Sequence, residues 1–144
     1  MTVPPTISLV TLGVADVEAS TRFYVALGFP LSPASVPGEV SFFRTGGGLL
    51  AVWGAQALAA DARVQPRPAG TFGGVALAIN VGSRDAVDAA IAAAAEAGAQ
   101  VLKPAEATDW GGYQGYFADP DGHAWEIAHN PFWPLDENGL PQLP

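Results

Sequence analysis

The order strand, helix, strand, strand, strand occurs twice along this chain, and that repeat constrains the fold more than any single motif does. In the first pass, "ISLVTLGV" (7–14) is apolar and β-branched, the pattern of a buried strand. Asp16 then stands where a helix N-cap belongs, and Val17, Phe23, Tyr24 and Leu27 recur at helical spacing. "LGFP" stops that helix at Gly28, with a proline close behind. Short strands are expected around 32–36, at "VSFFRT" (40–45) and at "LLAVW" (49–53), the last two joined by Gly46, Gly47 and Gly48. In the second pass, "VALAINV" (75–81) is a strand, Ser83 caps the helix "SRDAVDAAIAAAAEAGA", and Gly98 ends it. "AQVLKPAE" is the next strand. "GYQGYFA" and "HAWEIAH" form a hairpin about Asp119-Pro120-Asp121-Gly122, where Pro and Gly suit a tight turn.

The chain's 144 residues suit one compact domain with a sizeable core. Within it, 7–54 is the first module, 55–72 a linker with room for one helical turn, and 73–130 the second module. The tail, 131–144, rich in proline, reads as an irregular strap. There is no cysteine, hence no disulfide framework and no thiolate chemistry. Six Lys and Arg against fourteen Asp and Glu, net −8, argue against nucleic acid, which needs a basic face. The most apolar helix, around 86–97, is interrupted by Asp88 and Glu96 and is too short to span a bilayer. "MTVPPTISLV" lacks a basic stretch followed by a long apolar one, so no signal peptide is expected and a soluble cytoplasmic protein is.

One carboxylate, Glu126, sits among Ala, Trp and Ile in the last strand. The residues alone leave four roles open: metal ligand, catalytic base, specificity group or solvated side chain.

"LGVADVEASTRFYVALGF" near the start and "WGGYQGYFADPDGHAWEIAHNPF" near the end resemble the vicinal oxygen chelate superfamily, that of glyoxalases, bleomycin-resistance proteins and extradiol dioxygenases. The resemblance runs from about residue 7 to 132. It implies an α+β fold in which two tandem βαβββ modules form a curled mixed sheet around a cavity. It leaves the activity open, since the superfamily holds isomerases, epimerases, dioxygenases, thiol transferases and proteins that only bind a drug.

Metal-dependent members use four positions facing the cavity. The resemblance puts these at Leu9, Ala51, Gly74 and Glu126, and only Glu126 has a donor. Divalent metals in such sites need three or more protein ligands, so no metal and no cofactor is expected. His123 and His129 lie on the strand face opposite Glu126, six residues apart, and cannot share an ion with it. A turn-flanking His123 and a backbone-bonded His129 are the favoured readings.

Strand alternation gives Val10, Leu12, Val14, Phe43 and Phe117 to the core. It leaves Thr11, Phe42 and Trp53 from the first module, and Gln114, Tyr116 and Glu126 from the second, as ligand-binding candidates, with Trp110 as a roof at one end. Aromatic walls, small residues and one carboxylate suit a small aromatic or amphipathic molecule. The competing readings are Phe42 and Trp53 as ordinary core, Tyr116 bonded to a backbone group across its hairpin, and Glu126 solvated or paired with Arg44 or Lys103. The expected function is therefore metal-independent binding of a small molecule. The alternatives are an isomerase, epimerase or lyase with Glu126 as general base and Tyr116 as proton donor, and a metal-dependent glyoxalase or dioxygenase. A homodimer is expected from the apolar tail residues Phe132, Trp133, Leu135 and Leu140.

Overall fold

A computed structural model describes residues 1–144, which divide into two compact units, Met1–Pro66 and Arg67–Pro144. The fold is α+β. In the first unit β1 (Leu9–Val14), α1 (Val17–Leu27), β2 (Val40–Arg44), β3 (Leu49–Gly54) and α2 (Ala55–Ala62) follow in order. The sheet runs β1-β3-β2, with β1 parallel and β2 antiparallel to β3. α1 starts where Asp16 accepts a hydrogen bond from the Ala19 N–H (3.0 Å) and ends where Gly28 takes φ 105°. Its buried face, Val17, Ser20, Phe23 and Tyr24, belongs to a core that includes Val14, Phe43, Leu50 and Val52. Tyr24 meets Phe23 and Phe29 edge-to-face, with ring centroids 5.0 and 5.8 Å apart.

Two expectations fail here. No strand forms around 32–36; only the isolated bridges Leu31–Phe43 and Val36–Val40 do. Pro30, Pro33 and Pro37 have no N–H to give to a ladder, and the Ser35 hydroxyl instead takes the Phe42 N–H at 2.9 Å. The stretch expected to be a linker begins with an eight-residue helix, α2. Its sequence, "AQALAADA", is rich in the best helix former. Gly13 lets it lie close to β1, for a Cβ there would come 3.1 Å from the Ala55 Cα.

The second unit has β4 (Ala76–Asn80), α3 (Arg84–Glu96), β5 (Gln100–Ala107), β6 (Tyr113–Ala118) and β7 (Ala124–His129). The sheet order is β4-β7-β6-β5, with β4 parallel to β7 and the other pairs antiparallel. Ser83 caps α3 by accepting from the Ala86 N–H at 3.1 Å. Val87, Ile91 and Ala94 are its buried residues, and Phe117, Trp125 and Ile127 are the buried large side chains of the hairpin. Phe117 and Trp125 stack 6.3 Å apart. Buried Asp119 organises the hairpin turn, its Oδ1 accepting from the N–H of Asp121 (3.0 Å) and of His123 (2.8 Å). The tail curls around Asp136, whose Oδ1 accepts from the Asn138 and Leu140 N–H groups. No helix is long and apolar enough to cross a membrane.

Candidate functional site

Alternation turns Trp125 and Ile127 into the core and Ala124, Glu126 and Ala128 to the opposite face of β7. The ladder then sets Ala78, Glu126, Tyr116 and Lys103 in one row across the second sheet. The row beside it holds Asn80, Ala128, Gln114 and Glu106. Glu126 is half-buried, and its neighbours Ala78, Ala124 and Ala128 leave space around it.

The polar side chains of these rows are connected. The Gln114 Nε2 amide donates to Glu126 Oε2. The Lys103 ammonium donates to Gln114 Oε1 at 2.6 Å and lies 3.6 Å from the Glu106 carboxylate. Lys103 thus reaches Glu126 through an amide, not by the direct ion pair that the sequence left open. The Tyr116 hydroxyl, next to Glu126 in the ladder, has no hydrogen-bond partner within the protein, so the expected alternative of a cross-hairpin bond is not made.

Of the seven side chains singled out from the sequence, Gln114, Tyr116 and Glu126 come together on this face. Thr11 and Phe42 flank Ala51 on the first sheet. Trp53 lies two pairs further on, between Gly13 and Val40. It lines a surface groove of about 480 Å³ with Asp16, Glu18 and Glu39. Trp110 lies in the turn before β6, half-exposed, with its ring against Gly112. His129 Nδ1 meets the Val81 carbonyl oxygen at 3.1 Å, a backbone bond as favoured.

Sequence reasoning named Lys103 only as a possible counter-ion and left it out of the site. Simple alternation is a poor guide there, because the β5–β6 register shifts on both sides of it. The signal available was Pro104, which interrupts any ladder.

A metal of the superfamily's kind does not fit these residues. Leu9 pairs with Leu49 and Ala51 with Thr11, Gly74 precedes β4 with φ 77°, and one Glu126 oxygen is engaged by Gln114. No three His, Asp or Glu side chains are grouped to hold an ion.

The family model of the glyoxalase/bleomycin resistance protein/dioxygenase superfamily matches residues 6–127. The chain belongs to this superfamily. A glyoxalase-related enzyme from Fulvimarina pelagi is 39% identical, with a TM-score of 0.87 over 97% of this chain and 99% of that one. A superfamily protein from Nocardioides is 29% identical, with a TM-score of 0.73 over 100% of this chain and 93% of that one. A superfamily enzyme from Burkholderia phytofirmans, at 24% identity and a TM-score of 0.74 over 86% and 98%, shares the fold. No protein of curated function matches the sequence significantly.

Proposed function

We propose that this superfamily member binds a small, partly aromatic or amphipathic molecule without a metal, with Glu126 accepting a hydrogen bond from it. The observation that carries this reading is the state of the carboxylate: one oxygen is engaged by Gln114, the other is free, and small alanines surround it. A carboxylate held in place loses less freedom on binding than a mobile one. Tyr116 adds an aromatic face and an uncommitted hydroxyl beside it.

The test is a thermal-shift screen of small aromatic compounds, followed by calorimetry of the best hit on wild type and Glu126→Gln. The amide keeps the shape and loses the charge, so affinity should fall about ten- to a hundredfold. Equal affinity would end this reading.

The free Tyr116 hydroxyl favours a second reading, in which Glu126 is a general base and Tyr116 a proton donor. Glu126→Gln would then abolish turnover and leave substrate affinity nearly unchanged. The proposal includes a homodimer, because Phe132, Trp133 and Leu140 remain exposed in the tail. Sedimentation at the monomer mass of 14.8 kDa at micromolar concentration would count against it.

A further inference from the structure

Lys103 is aimed by an irregular piece of backbone. The pairing of β5 with β6 shifts between Val101 and Lys103, and again between Lys103 and Glu106. Such bulges re-aim a side chain. Pro104, next in the chain, cannot donate to the ladder. Gly115 gives the displaced backbone its room, since a Cβ there would lie 3.0 Å from the Lys103 carbonyl oxygen and from the Ala105 nitrogen.

The ammonium then fixes the Gln114 amide in one sense, oxygen towards Lys103 and NH2 towards Glu126. A flipped amide would set its NH2 against the ammonium and its oxygen against the carboxylate. Glu126 Oε1 is left as the acceptor with no protein donor on it.

We propose that Lys103 is a positioning residue, and that the chain Lys103–Gln114–Glu126 selects a neutral aromatic ligand carrying an N–H or O–H donor over an isostere offering only acceptors. The ligand class rests on the binding reading of Glu126 above; the role of Lys103 is testable without any ligand.

The first measurement is the side-chain NH2 resonance of Gln114 in isotope-labelled free protein, assigned by its loss in Gln114→Leu. Lys103→Met keeps the aliphatic stem and should shift that resonance, and Lys103→Arg should leave it close to its wild-type position. The second measurement titrates benzamide and acetophenone, which are both neutral and share a ring and a shape, only benzamide carrying an N–H donor. Benzamide should bind at least about tenfold more tightly, in proportion to one charge-assisted hydrogen bond. Lys103→Met should weaken benzamide about three- to tenfold. It should add nothing in a Gln114→Leu background, because residues acting in series are not additive. A Gln114 resonance unmoved in Lys103→Met overturns the positioning role whether or not a ligand binds, and so do additive effects in the double variant. Equal affinity for the two probes, or no binding of benzamide beside an intact resonance shift, overturns the ligand class and leaves the positioning role standing.

Discussion

Thr11, Ala51 and Phe42 stand side by side across the first sheet, and Ala78, Glu126 and Tyr116 occupy the corresponding places in the second. Both rows lie on a parallel pair joined to an antiparallel one. The buried side of each sheet is also alike, with Phe43, Leu50 and Val52 in one and Phe117, Trp125 and Ile127 in the other. The open rows differ. The first has a methyl at its centre, on Ala51, only 1% exposed, and the second has a half-buried carboxylate tied to an amide and an ammonium. Both sheets therefore pack large apolar side chains on one face, while the opposite face differs in chemistry between the units. A repeat in element order predicts most of the scaffold, missing only the bridged stretch before β2 and helix α2 in the first unit, and the chemistry of neither unit.

If the buried faces are equivalent, Phe43→Ala and Phe117→Ala should cost the same. Both rings are at most 2% exposed, so each loss should be about 3–5 kcal/mol in denaturant unfolding. A difference of more than about 2 kcal/mol, beyond the spread of such cavities, would show that one unit carries more of the stability.

The open rows should fail in the opposite way. Ala51→Glu would bury an unpaired carboxylate among Thr11 and Phe42 and should destabilise by roughly 3 kcal/mol. Glu126→Ala removes a half-exposed group and should cost within about 1 kcal/mol, chiefly the Gln114 bond. Similar losses at the two positions would erase the distinction between an apolar and a polar row.

The second unit is also the more legible of the two. Each of its five elements is found where the sequence puts it, with α3 set by its Ser83 cap and β6 and β7 by unbroken alternation. In the first, Pro30, Pro33 and Pro37 turn an expected strand into two isolated bridges. Ala55–Ala62 has too little polar contrast to announce a helix; tertiary packing against Gly13 supplies what local pattern does not. The same limit applies to the site. Two-residue periodicity brings Gln114, Tyr116 and Glu126 to one face from sequence alone, because β6 and β7 pair without a slip. Lys103 escapes because its strand is bulged, and Trp110 is settled by a turn whose geometry composition does not encode.

The hairpin turns extend the comparison. Asp119 is buried and holds the N–H groups of Asp121 and His123, so Asp119→Ala should cost about 1–3 kcal/mol. Thr45 serves the turn of the first unit, accepting from the Gly47 N–H at 3.1 Å, but it is exposed and water can replace it. Thr45→Ala should cost less than about 1 kcal/mol. Equal melting-temperature losses would mean that burial does not set the worth of these caps.

The smallest difference lies in how helix and sheet are tied. In the first unit the hydroxyls of Thr21 on α1 and Ser41 on β2 share a 2.7 Å hydrogen bond, and neither titrates in the working range of a protein. In the second, the Tyr113 hydroxyl on β6 donates to Asp88 Oδ1 on α3 at 2.6 Å, with the Arg84 guanidinium 5.2 Å from the ring centre. The bond to Asp88 holds the Tyr113 phenol above its ordinary value of 10.0, aided by desolvation and the Asp88 charge and opposed by Arg84. The neutral phenol is the form that the fold favours. Its contribution is therefore fully present below the unfolded value, near 10.0, and fades as pH rises through the higher folded value. Tyrosinate absorbance should show a late-titrating phenol that vanishes in Tyr113→Phe and titrates earlier in Asp88→Asn. As pH rises from about 10.0 through the folded value, stability should decline more steeply in wild type than in Tyr113→Phe. Identical alkaline profiles would mean that the Tyr113–Asp88 bond does not hold in solution, and the two units would then share a tie indifferent to pH.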